Sequence, residues 1–418
     1  MQLSKPLRHK LLFPIYLVLY GVSRLGLLIN RDRNKWVFGS HFGFSDNSMF
    51  LFFDVNRMHK DIRPIWIAHN RKDIVKVRSL NYECYYWLSL RGLYHCFTAE
   101  VYVCTQHTKD INRFASEGAV YLNLNHGIGI KKCYWKNEKH LKRDTGKTPE
   151  QLKSSFFWRI ITYVSLFRVP DICLATSIPH AVDFFCPMFR IPLSHCIFGN
   201  QPRNEMLLLE KDEIKKKIEA YGEFSTLRYI HNIEQYDKVY IYMPTWRDDG
   251  SNFIMKSHID FCRLNSVLIE QNALLLLKLH PATDTRILSI HKYSNISLYD
   301  NDNYIYYVLP FTDCLITDYS SVYTDYLLMD KEIMLFLFDK EQYFEKCTDI
   351  DNYDYYYRGM RAYDFDSLIS LIKTKKDCHI DRADYKFLMD YFWGSIDNPL
   401  DIVEEVKKRQ NSIHIEAL

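Results

Sequence analysis

After Asn30, short apolar runs alternate with amphipathic stretches along most of the chain. The first series of apolar runs, each long enough for one buried strand, occupies residues 35–40, 64–68, 101–105, 120–124, 172–175 and 196–198. Stretches with helical periodicity lie between them, for instance at residues 47–58 and 154–164. Because strands that alternate with helices build parallel sheets with helices on their faces, this pattern predicts an α/β domain.

A second series of the same kind follows a polar helical insertion at residues 207–228. Its predicted strands are residues 239–243, 274–279, 296–299, 314–317 and 333–338, and its predicted helices are 260–271, 321–329 and 365–374. The join at residues 199–206 is rich in turn-forming residues, and 418 residues suit two domains better than one. We therefore predict an N-terminal segment (1–30), two α/β domains (31–200 and 201–395) and a C-terminal helix or tail (396–418).

The N-terminal stretch 11–29 is apolar, has basic residues on both sides, and contains Pro14 and Arg24. A spanning helix needs about 20 mostly apolar residues, and a central Arg would cost roughly 3 kcal/mol, less towards an end. The stretch has no convincing cleavage site, which argues against a signal peptide. Basic flanks around an aromatic-rich apolar body favour a helix that lies in the membrane interface. A true span and an ordinary buried helix are the alternatives.

The composition narrows the class of protein further. A net charge of +3 gives no case for nucleic-acid binding. None of the eleven cysteines stands in a C-x-x-C pair, which argues against a disulfide framework or a zinc knuckle and favours a reducing compartment. Asp-x-Asp triplets begin at Asp300, Asp349 and Asp364, in polar segments that we interpret as solvated turns. We predict no metal and no other cofactor.

The segment from Cys314 to Ser321 joins a buried strand to an apolar helix through a short polar turn. Either Ser320 or Ser321 can cap that helix. Helix N-termini present free N–H groups that attract anions, and hydroxyls add further donors. A plain serine cap explains the same pattern, so the turn alone leaves both a phosphate site and a structural cap open.

Two other predicted strands of the second domain also end in polar side chains. Arg247 follows the strand that ends at Pro244, and its guanidinium can bind a phosphate bidentately. His280 follows the apolar strand 274–279 and can donate to a phosphate oxygen or act as an acid. A surface Arg–Asp pair and an ordinary loop histidine are the structural alternatives.

In the first domain, the strand at 120–124 ends at Asn125-His126-Gly127, and Lys131 and Lys132 follow. Glycine lets a ligand approach the backbone closely. His126 is a candidate base for an attacking hydroxyl. A glycine-rich turn with an incidental histidine is the alternative interpretation.

Taken together, these segments resemble the CDP-glycerol glycerophosphotransferase family of teichoic-acid and related polymer synthesis. The resemblance covers about residues 35 to 345 and rests on Trp36–Ser40, Asn125–Gly127 with Lys131 and Lys132, Gly199 with Pro202–Asn204, Pro244–Asp248, Leu279–Pro281, and Leu315–Ser321 with Asp325 and Tyr326. Three segments depart from the family pattern. Asn125-His126-Gly127-Ile128-Gly129 stands where Trp-His-Gly-Thr-Pro is usual, Tyr355–Arg361 stands where a Pro-Gly-Pro turn is usual, and Gly199–Pro202 has one residue more than the usual Gly-x-Pro. Arg358 or Arg361 could supply charge at the second.

The resemblance implies a GT-B-like fold with two Rossmann-like domains that face a central cleft. It further implies a cytoplasmic-face membrane enzyme that moves glycerol phosphate or ribitol phosphate from CDP-glycerol or CDP-ribitol to a lipid-linked or glycan acceptor. His126 would be the catalytic base, with Gly127, Lys131 and Lys132 on the acceptor side. The residues implied for the donor pyrophosphate are His280, also catalytic, Arg247, Ser320, Ser321 and Asp318, which would brace the loop.

Two other functions stay open at this point. A GT-B glycosyltransferase or an epimerase that uses a nucleotide sugar would share the architecture. A membrane-bound scaffold that kept the fold without catalysis would also account for the altered surroundings of His126. Release of CMP, as opposed to UDP, distinguishes the transferase from both.

Overall fold

Two α/β units make up the chain, which a computed structural model describes over residues 5–165, 168–247, 253–280, 283, 288–301, 303–346, 350–394 and 400–416. The first unit comprises Met1–His126, Lys132–Arg203 and Trp393–Leu418, and the second comprises Gly127–Lys131 and Asn204–Phe392. This division differs from the predicted one, because Gly127–Lys131 packs in the second unit and the C-terminal helix packs in the first.

The sheet of the first unit has seven strands, all parallel, in the order β3-β2-β1-β4-β5-β6-β7. Its strands are β1 (Asp32–Gly39), β2 (Arg63–Ala68), β3 (Cys84–Tyr86), β4 (Ala99–Cys104), β5 (Val120–Asn123), β6 (Ile172–Ala175) and β7 (Cys196–Phe198). Successive strands are added towards one edge of the sheet from β1 to β3 and towards the other edge from β4 onwards. Open parallel sheets bind ligands at the point where this order reverses, here between β1 and β4.

The sheet of the second unit has six parallel strands in the order β10-β9-β8-β11-β12-β13. Its strands are β8 (Lys238–Met243), β9 (Ala273–Leu277), β10 (Ile296–Leu298), β11 (Cys314–Thr317), β12 (Glu332–Phe336) and β13 (Met360–Ala362). This is the order of a Rossmann fold, with the reversal between β8 and β11. Leucine and isoleucine side chains bury both faces of β9 and β11, as parallel strands require.

Helices cover the faces of both sheets and join the strands. They are α1 (Lys5–Leu25), α2 (Asp46–Met58), α3 (Arg71–Ser79), α4 (Leu90–Thr98), α5 (Glu138–Thr145), α6 (Pro149–Ser154), α7 (Phe156–Ser165), α8 (Ile178–His180), α9 (Cys186–Phe189), α10 (Lys211–Ala220), α11 (Phe224–Ile233), α12 (Phe253–Lys256), α13 (Phe261–Glu270), α14 (Ile305–Val308), α15 (Val322–Leu327), α16 (Lys340–Lys346), α17 (Tyr353–Tyr356), α18 (Phe365–Lys373), α19 (Arg382–Trp393) and α20 (Ile402–Glu416).

The N-terminal helix α1 has two different faces. On one face, Phe13 and Tyr16 pack beside the buried Trp158 and Ile161 of α7. On the other, Leu11, Ile15, Val18 and Val22 are exposed, at spacings that place them on a single stripe. Only 11% of the apolar window Leu11–Leu28 is buried, so the alternative of an ordinary buried helix is wrong.

The C-terminal helix α20 belongs to the core of the first unit and is not a separate tail. Val403 and Val406 are buried on its inner face. The guanidinium of Arg409 donates to the backbone carbonyls of Ser194 at 2.6 Å and Cys196 at 3.2 Å, beside β7. These buried apolar positions and the two hydrogen bonds attach α20 to the first unit.

Candidate active site

Three neighbouring strands of the second unit are followed by residues that were predicted for donor binding: Arg247 follows β8, His280 follows β9, and Asp318 follows β11. Asp339, which was not predicted, follows the next strand, β12. Asp248 and Pro281, which complete two of the sequence motifs, lie outside the described residues. The motifs of the second domain therefore share one edge of one sheet, as their positions after apolar strands predict.

The carboxylate of Asp318 is the centre of a buried network at this edge. Its Oδ1 accepts from the backbone N–H groups of Thr245 at 2.8 Å and Tyr319 at 2.5 Å, and its Oδ2 accepts from the Arg247 guanidinium at 2.9 Å. The side chain is fully buried. Asp318 thus ties the loop after β8 to the loop after β11, in keeping with the bracing role that the family resemblance implies.

Arg247 lies inside the protein and not on an open phosphate-binding surface. Its side chain is 2% exposed. Its Nε and Nη2 bind the Asp339 carboxylate bidentately at 2.8 and 2.9 Å, and its Nη1 donates to the Thr245 carbonyl. Burial of the guanidinium lowers the pKa of Arg247, but the carboxylates of Asp318 and Asp339 outweigh it and raise that pKa above its ordinary value. The predicted Arg–Asp pair exists, therefore, but it is internal.

Ser320 and Ser321 are half-buried at the start of α15. Ser321 is the N-cap residue, yet its side chain makes no capping hydrogen bond. Within the described part of the chain, neither hydroxyl is engaged in a hydrogen bond. The structural alternative, a serine that caps the helix with its side chain, is therefore not what the structure shows, and both hydroxyls can bind a ligand.

Two tyrosine hydroxyls donate hydrogen bonds to backbone carbonyls of the turn from Asp318 to Ser321. Tyr353 donates to the carbonyl of Asp318 at 2.7 Å, and Tyr357 donates to the carbonyl of Ser320 at 3.0 Å. Their rings stack at 4.8 Å. Sequence reasoning did not assign these residues, although the run Tyr355–Gly359 stood out as a departure from the family pattern.

The charges near this tyrosine run are already paired. Arg358 binds the carboxylate of Asp384 and the carbonyl of Tyr355. Arg361 binds the carboxylate of Asp354 at 2.6 Å. Both guanidinium groups thus serve local ion pairs, and the suggestion that one of them supplies charge to a ligand gains no support from these contacts.

His280 is exposed beyond β9, and its ring lies 4.9 Å from the ring of Trp246. Partial burial and the charge of Lys278 lower the pKa of His280. At neutral pH the imidazole is therefore uncharged, and it can donate one N–H to a phosphate oxygen.

In the first unit, His126 follows a residue with a left-handed backbone. Asn125 has φ 56°, a conformation that asparagine tolerates better than most residues. Its amide donates to the Leu174 carbonyl at 3.0 Å, and its carbonyl accepts from Asn47 at 2.7 Å. These buried bonds fix the turn that exposes the His126 ring, and Nδ1 of that ring lies 3.4 Å from the amide of Gln106.

Asp46 and Asn47, at the start of α2, are further residues that sequence reasoning missed. Arg203 forms a buried ion pair with Asp46 at 2.8 Å and donates its backbone N–H to Asn47 at 3.0 Å. The family segment Pro202–Asn204 is therefore linked through Asn47 to the turn before His126. The signal available in the sequence was that Asp46 and Asn47 begin the helix that follows the first strand.

The residues that follow His126 pack in the second unit. The carbonyl of Ile128 accepts from the hydroxyl of Thr324 on α15. A Cβ on Gly129 would lie 3.3 Å from the Cβ of Ser321, so glycine permits this close approach. Gly127 and Lys131 were predicted on the acceptor side, but they pack in the unit predicted to hold the donor.

The two lysines of this motif have different surroundings. The ammonium of Lys131 lies 5.6 Å from the centre of the Tyr343 ring, within the second unit. Lys132 lies in the first unit, where its carbonyl accepts from Asn137 at 3.0 Å.

Comparison with known proteins identifies the family. The model of the CDP-Glycerol:Poly(glycerophosphate) glycerophosphotransferase family matches residues 22–394. The chain belongs to this family. The family, the α/β class and the transferase class predicted from the sequence are therefore confirmed.

The relatives include both glycerol-phosphate and ribitol-phosphate enzymes. The teichoic acid poly(glycerol phosphate) polymerase of Bacillus spizizenii is 26% identical over 363 residues, which are 81% of this chain and 84% of that protein. The teichoic acid glycerol-phosphate primase of Bacillus subtilis is 33% identical over 141 residues, 34% of this chain and 36% of that protein. The ribitol-phosphate polymerase TarL of Staphylococcus aureus is 27% identical, over 46% of this chain and 34% of its own length. The chain thus spans about a third of the length of two of these relatives.

Solved structures confirm the GT-B-like fold. The wall teichoic acid polymerase TagF aligns with 100% of this chain and 98% of its own, at 20% identity and a TM-score of 0.67. A UDP-GlcNAc 2-epimerase from Neisseria meningitidis aligns with 90% of this chain at 13% identity and a TM-score of 0.52. The second likeness explains why sequence patterns alone left a nucleotide-sugar enzyme open.

Proposed function

We propose that this protein transfers glycerol phosphate or ribitol phosphate from a CDP-polyol to a hydroxyl of a lipid-linked or glycan acceptor in cell-surface polymer synthesis. The acceptor oxygen attacks the β-phosphorus, the bond from that phosphorus to the bridging oxygen breaks, and CMP leaves with the electron pair. The observation that carries the proposal is the Asp318-centred loop, which holds two unengaged hydroxyls at the carboxyl edge of the second sheet.

On the donor side, Ser320 and Ser321 donate to the pyrophosphate, and neutral His280 donates its N–H. Arg247 acts through the loop and not by direct contact, because its side chain is 2% exposed and bound to two carboxylates. Preorganised donors of this kind offset developing charge without a reorganisation cost, which suits phosphoryl transfer.

On the acceptor side, His126 takes the proton from the attacking hydroxyl. The exposed ring and the buried bonds of Asn125 behind it support this assignment. Proton removal by His126 contributes most as the phosphorus–oxygen bond forms, so the base affects the chemical step more than donor binding.

A donor panel tests the reaction. The purified protein is incubated with CDP-glycerol, CDP-ribitol and UDP-sugars together with membrane-derived acceptors, and the released nucleotide and the product mass are measured. We expect CMP with at least one CDP-polyol and a product heavier by one or more polyol-phosphate units. UDP release without CMP would instead identify a glycosyltransferase.

A pair of histidine variants tests the proposed base. His126→Ala should lower kcat at least a hundredfold while binding of the CDP-polyol stays within about twofold of the parent protein. His231→Ala, on an exposed position of α11, is the matched control and should leave both values unchanged. Retained turnover in His126→Ala would remove that histidine from the mechanism.

We further propose that α1 places the enzyme peripherally on the cytoplasmic face of the membrane. One face of α1 packs on α7, and Arg24 pairs with Glu117 of the folded unit at 3.0 Å, which supports a helix lying on the surface over one that spans. The exposed stripe Leu11, Ile15, Val18 and Val22 is then the lipid-facing side.

Vesicle binding tests this location. Sedimentation with anionic lipid vesicles should recover the parent protein, and Val18→Asp should release most of it. Ile269→Asp is the control, because Ile269 is 53% exposed but lies in the second unit, away from α1 in the sequence. Equal binding by the parent protein and Val18→Asp would contradict the proposal.

A further inference from the structure

Lys278 lies at the carboxyl end of β9, two residues before His280, and the assignments above give it no role. Its backbone N–H donates to the Tyr242 carbonyl at 2.9 Å, so the pairing of β9 with β8 continues as far as this residue. The side chain is half-buried, and its ammonium is not sealed from solvent. Lys278 therefore places a cation at the edge where open parallel sheets bind ligands.

The positive charge of Lys278 is not neutralised within the described part of the chain. Its ammonium forms no ion pair and no hydrogen bond with the described residues, and the contact that it makes is with the ring of Tyr299, 5.8 Å from the ring centre. Burial lowers the pKa of Lys278, and none of the described carboxylates raises it. The ammonium is thus partly desolvated without a counter-ion, which makes it available to an anion.

A lysine that serves the fold alone has different surroundings. Lys238, which is also half-buried, begins the neighbouring strand β8 and pairs with Glu332 at 2.7 Å. Lysines are rarely buried unless they are paired, because desolvation of an unpaired charge costs stability. A cost of this kind is typical of ligand-binding sites, where the ligand supplies the missing partner.

Lys278 and His280 lie close enough for the charge of the lysine to act on the imidazole. Partial burial and, in addition, the positive charge of Lys278 lower the pKa of His280. The ring of His280 lies 4.9 Å from the ring of Trp246, which follows β8. A phosphate that accepts a hydrogen bond from the neutral imidazole is therefore attracted by the ammonium as well.

The two sides of the donor-binding turn differ in charge. On the β12 side, two carboxylates bind the Arg247 guanidinium, so no positive charge is left over. On the β9 side, the charge of Lys278 is unpaired. Strands β9 and β11 are two strand spacings apart, about 10 Å, and a pyrophosphate at Ser320 and Ser321 covers part of that distance. The nucleotide half of the donor is therefore best accommodated towards β9.

We propose that Lys278 binds the α-phosphate of the CDP-polyol and then holds the CMP that is released. The inference rests on the proposed function, since it adds a residue to the same donor site. In the donor, the α-phosphate carries one negative charge. When the bond from the β-phosphorus to the bridging oxygen breaks, that oxygen keeps the electron pair, and the phosphate of CMP carries nearly two charges at neutral pH. The attraction to Lys278 therefore grows as CMP leaves, and no proton moves to or from the ammonium.

Binding of CMP and of cytidine tests the inference without requiring turnover. The two ligands differ by the phosphate alone, and each is titrated into the full chain by isothermal calorimetry or ligand-observed NMR. We expect Lys278→Met to weaken CMP binding at least tenfold and to leave cytidine binding within twofold of the parent protein. Lys278→Arg keeps the charge and should bind CMP more tightly than Lys278→Met does. Lys373→Met removes an exposed charge from α18 of the same unit, and this control should bind both ligands as the parent protein does.

Thermal unfolding separates the loss of a ligand contact from damage to the fold. Because Lys278→Met removes a partly buried charge without a counter-ion, the free variant should unfold at the same temperature as the parent protein or at a higher one. Saturating CMP should raise the unfolding temperature of the parent protein more than that of the variant. A variant that unfolds at a clearly lower temperature and loses cytidine binding as much as CMP binding would show a structural role and overturn the inference.

Failure of the proposed function shows in a different measurement. If the parent protein binds CMP through Lys278 but releases none from any CDP-polyol, the reaction is wrong and the phosphate contact stands. If CMP is released, Lys278→Met should lower kcat at least tenfold and leave the acceptor KM within twofold. Parent-like CMP affinity in Lys278→Met overturns the inference and leaves the reaction standing. The absence of CMP binding by the folded parent protein also overturns it.

Discussion

The hydroxyl of Tyr353 donates a hydrogen bond of 2.7 Å to the backbone carbonyl of Asp318, and both groups are buried. Tyr357 makes the matching bond to Ser320 two residues further along the turn. A buried carbonyl that loses its donor costs about 1–3 kcal/mol, so these two hydroxyls strongly restrain the path of the turn.

Removal of either hydroxyl should loosen the donor-binding turn. We expect Tyr353→Phe and Tyr357→Phe each to lower the free energy of unfolding by about 1–3 kcal/mol. Because Ser320 and Ser321 then lose their fixed position, the KM for the CDP-polyol should rise severalfold while the acceptor KM stays constant. Steady-state CMP release and urea unfolding measure the two effects.

Tyr355→Phe is the control for both variants, because Tyr355 is 50% exposed. It should match the parent protein in stability and in donor KM. If Tyr353→Phe and Tyr357→Phe lose stability but keep the parent donor KM, the hydroxyls have a structural role alone.

Arg247 allows a direct comparison of a structural and a ligand-binding role. Arg247→Met leaves the carboxylates of Asp318 and Asp339 buried without a cation, which should cost about 3–5 kcal/mol of unfolding free energy. Arg247→Lys keeps the charge but loses the bidentate geometry, and an intermediate loss is expected. Urea unfolding with circular dichroism gives the values.

The exposed pair between Arg382 and Asp330 provides the reference for this series. Arg382 is 74% exposed, and Arg382→Met should leave stability nearly unchanged, because solvent screens an exposed ion pair. If Arg247→Met is as stable as the parent protein but cannot bind CDP-glycerol, the guanidinium contacts the phosphate and our internal assignment is wrong.

Gln106 should control the proton state of His126. Nε2 of the Gln106 amide lies 3.4 Å from Nδ1 of His126, and because an amide nitrogen donates, Nδ1 is the acceptor and the contact favours the ring tautomer with its proton on Nε2. Gln106→Leu removes this donor and the tautomer preference with it, so kcat should change severalfold with little change in either KM. The pH profile of kcat should also shift relative to the parent protein.

Gln151→Leu, on an exposed position of α6, tests for a general effect of losing an amide. It should leave kcat unchanged. A parent-like pH profile in Gln106→Leu would show that its amide does not orient the imidazole.

Much of the fold followed from the sequence because parallel strands bury both faces and read as continuous apolar runs. The predicted strands match the observed ones within a few residues, apart from β3 and β13. Those two edge strands contain no Val, Ile or Leu and carry no clear apolar pattern, whereas the equally short edge strands β7 and β10 contain such residues and were predicted. The insertion at 207–228 was also taken as one piece, whereas α10 and α11 are separate helices.

The candidate site was predictable where a motif ends a strand, as at Asp318 and His126. It was not predictable where a partner comes from a distant part of the chain. Asp339 binds Arg247 across 92 residues, and the sequence offers no reason to pair them. Tyr353 and Tyr357 could not be singled out among the 31 tyrosines, since abundance gives no indication of which hydroxyls contact the turn.

The C-terminal helix α20 also bears on how the protein can be made. Lys407 binds Asp61 at 2.7 Å, and a Cβ on Gly199 would lie 2.7 Å from the Cβ of Leu400. The C-terminal residues therefore complete the first unit, and they are translated after the entire second unit. Until α20 has been synthesised, the apolar surface of the first unit that this helix covers therefore remains exposed to solvent. A protein cut after Arg203 would lack that helix, and neither unit can be obtained as one uninterrupted stretch of chain.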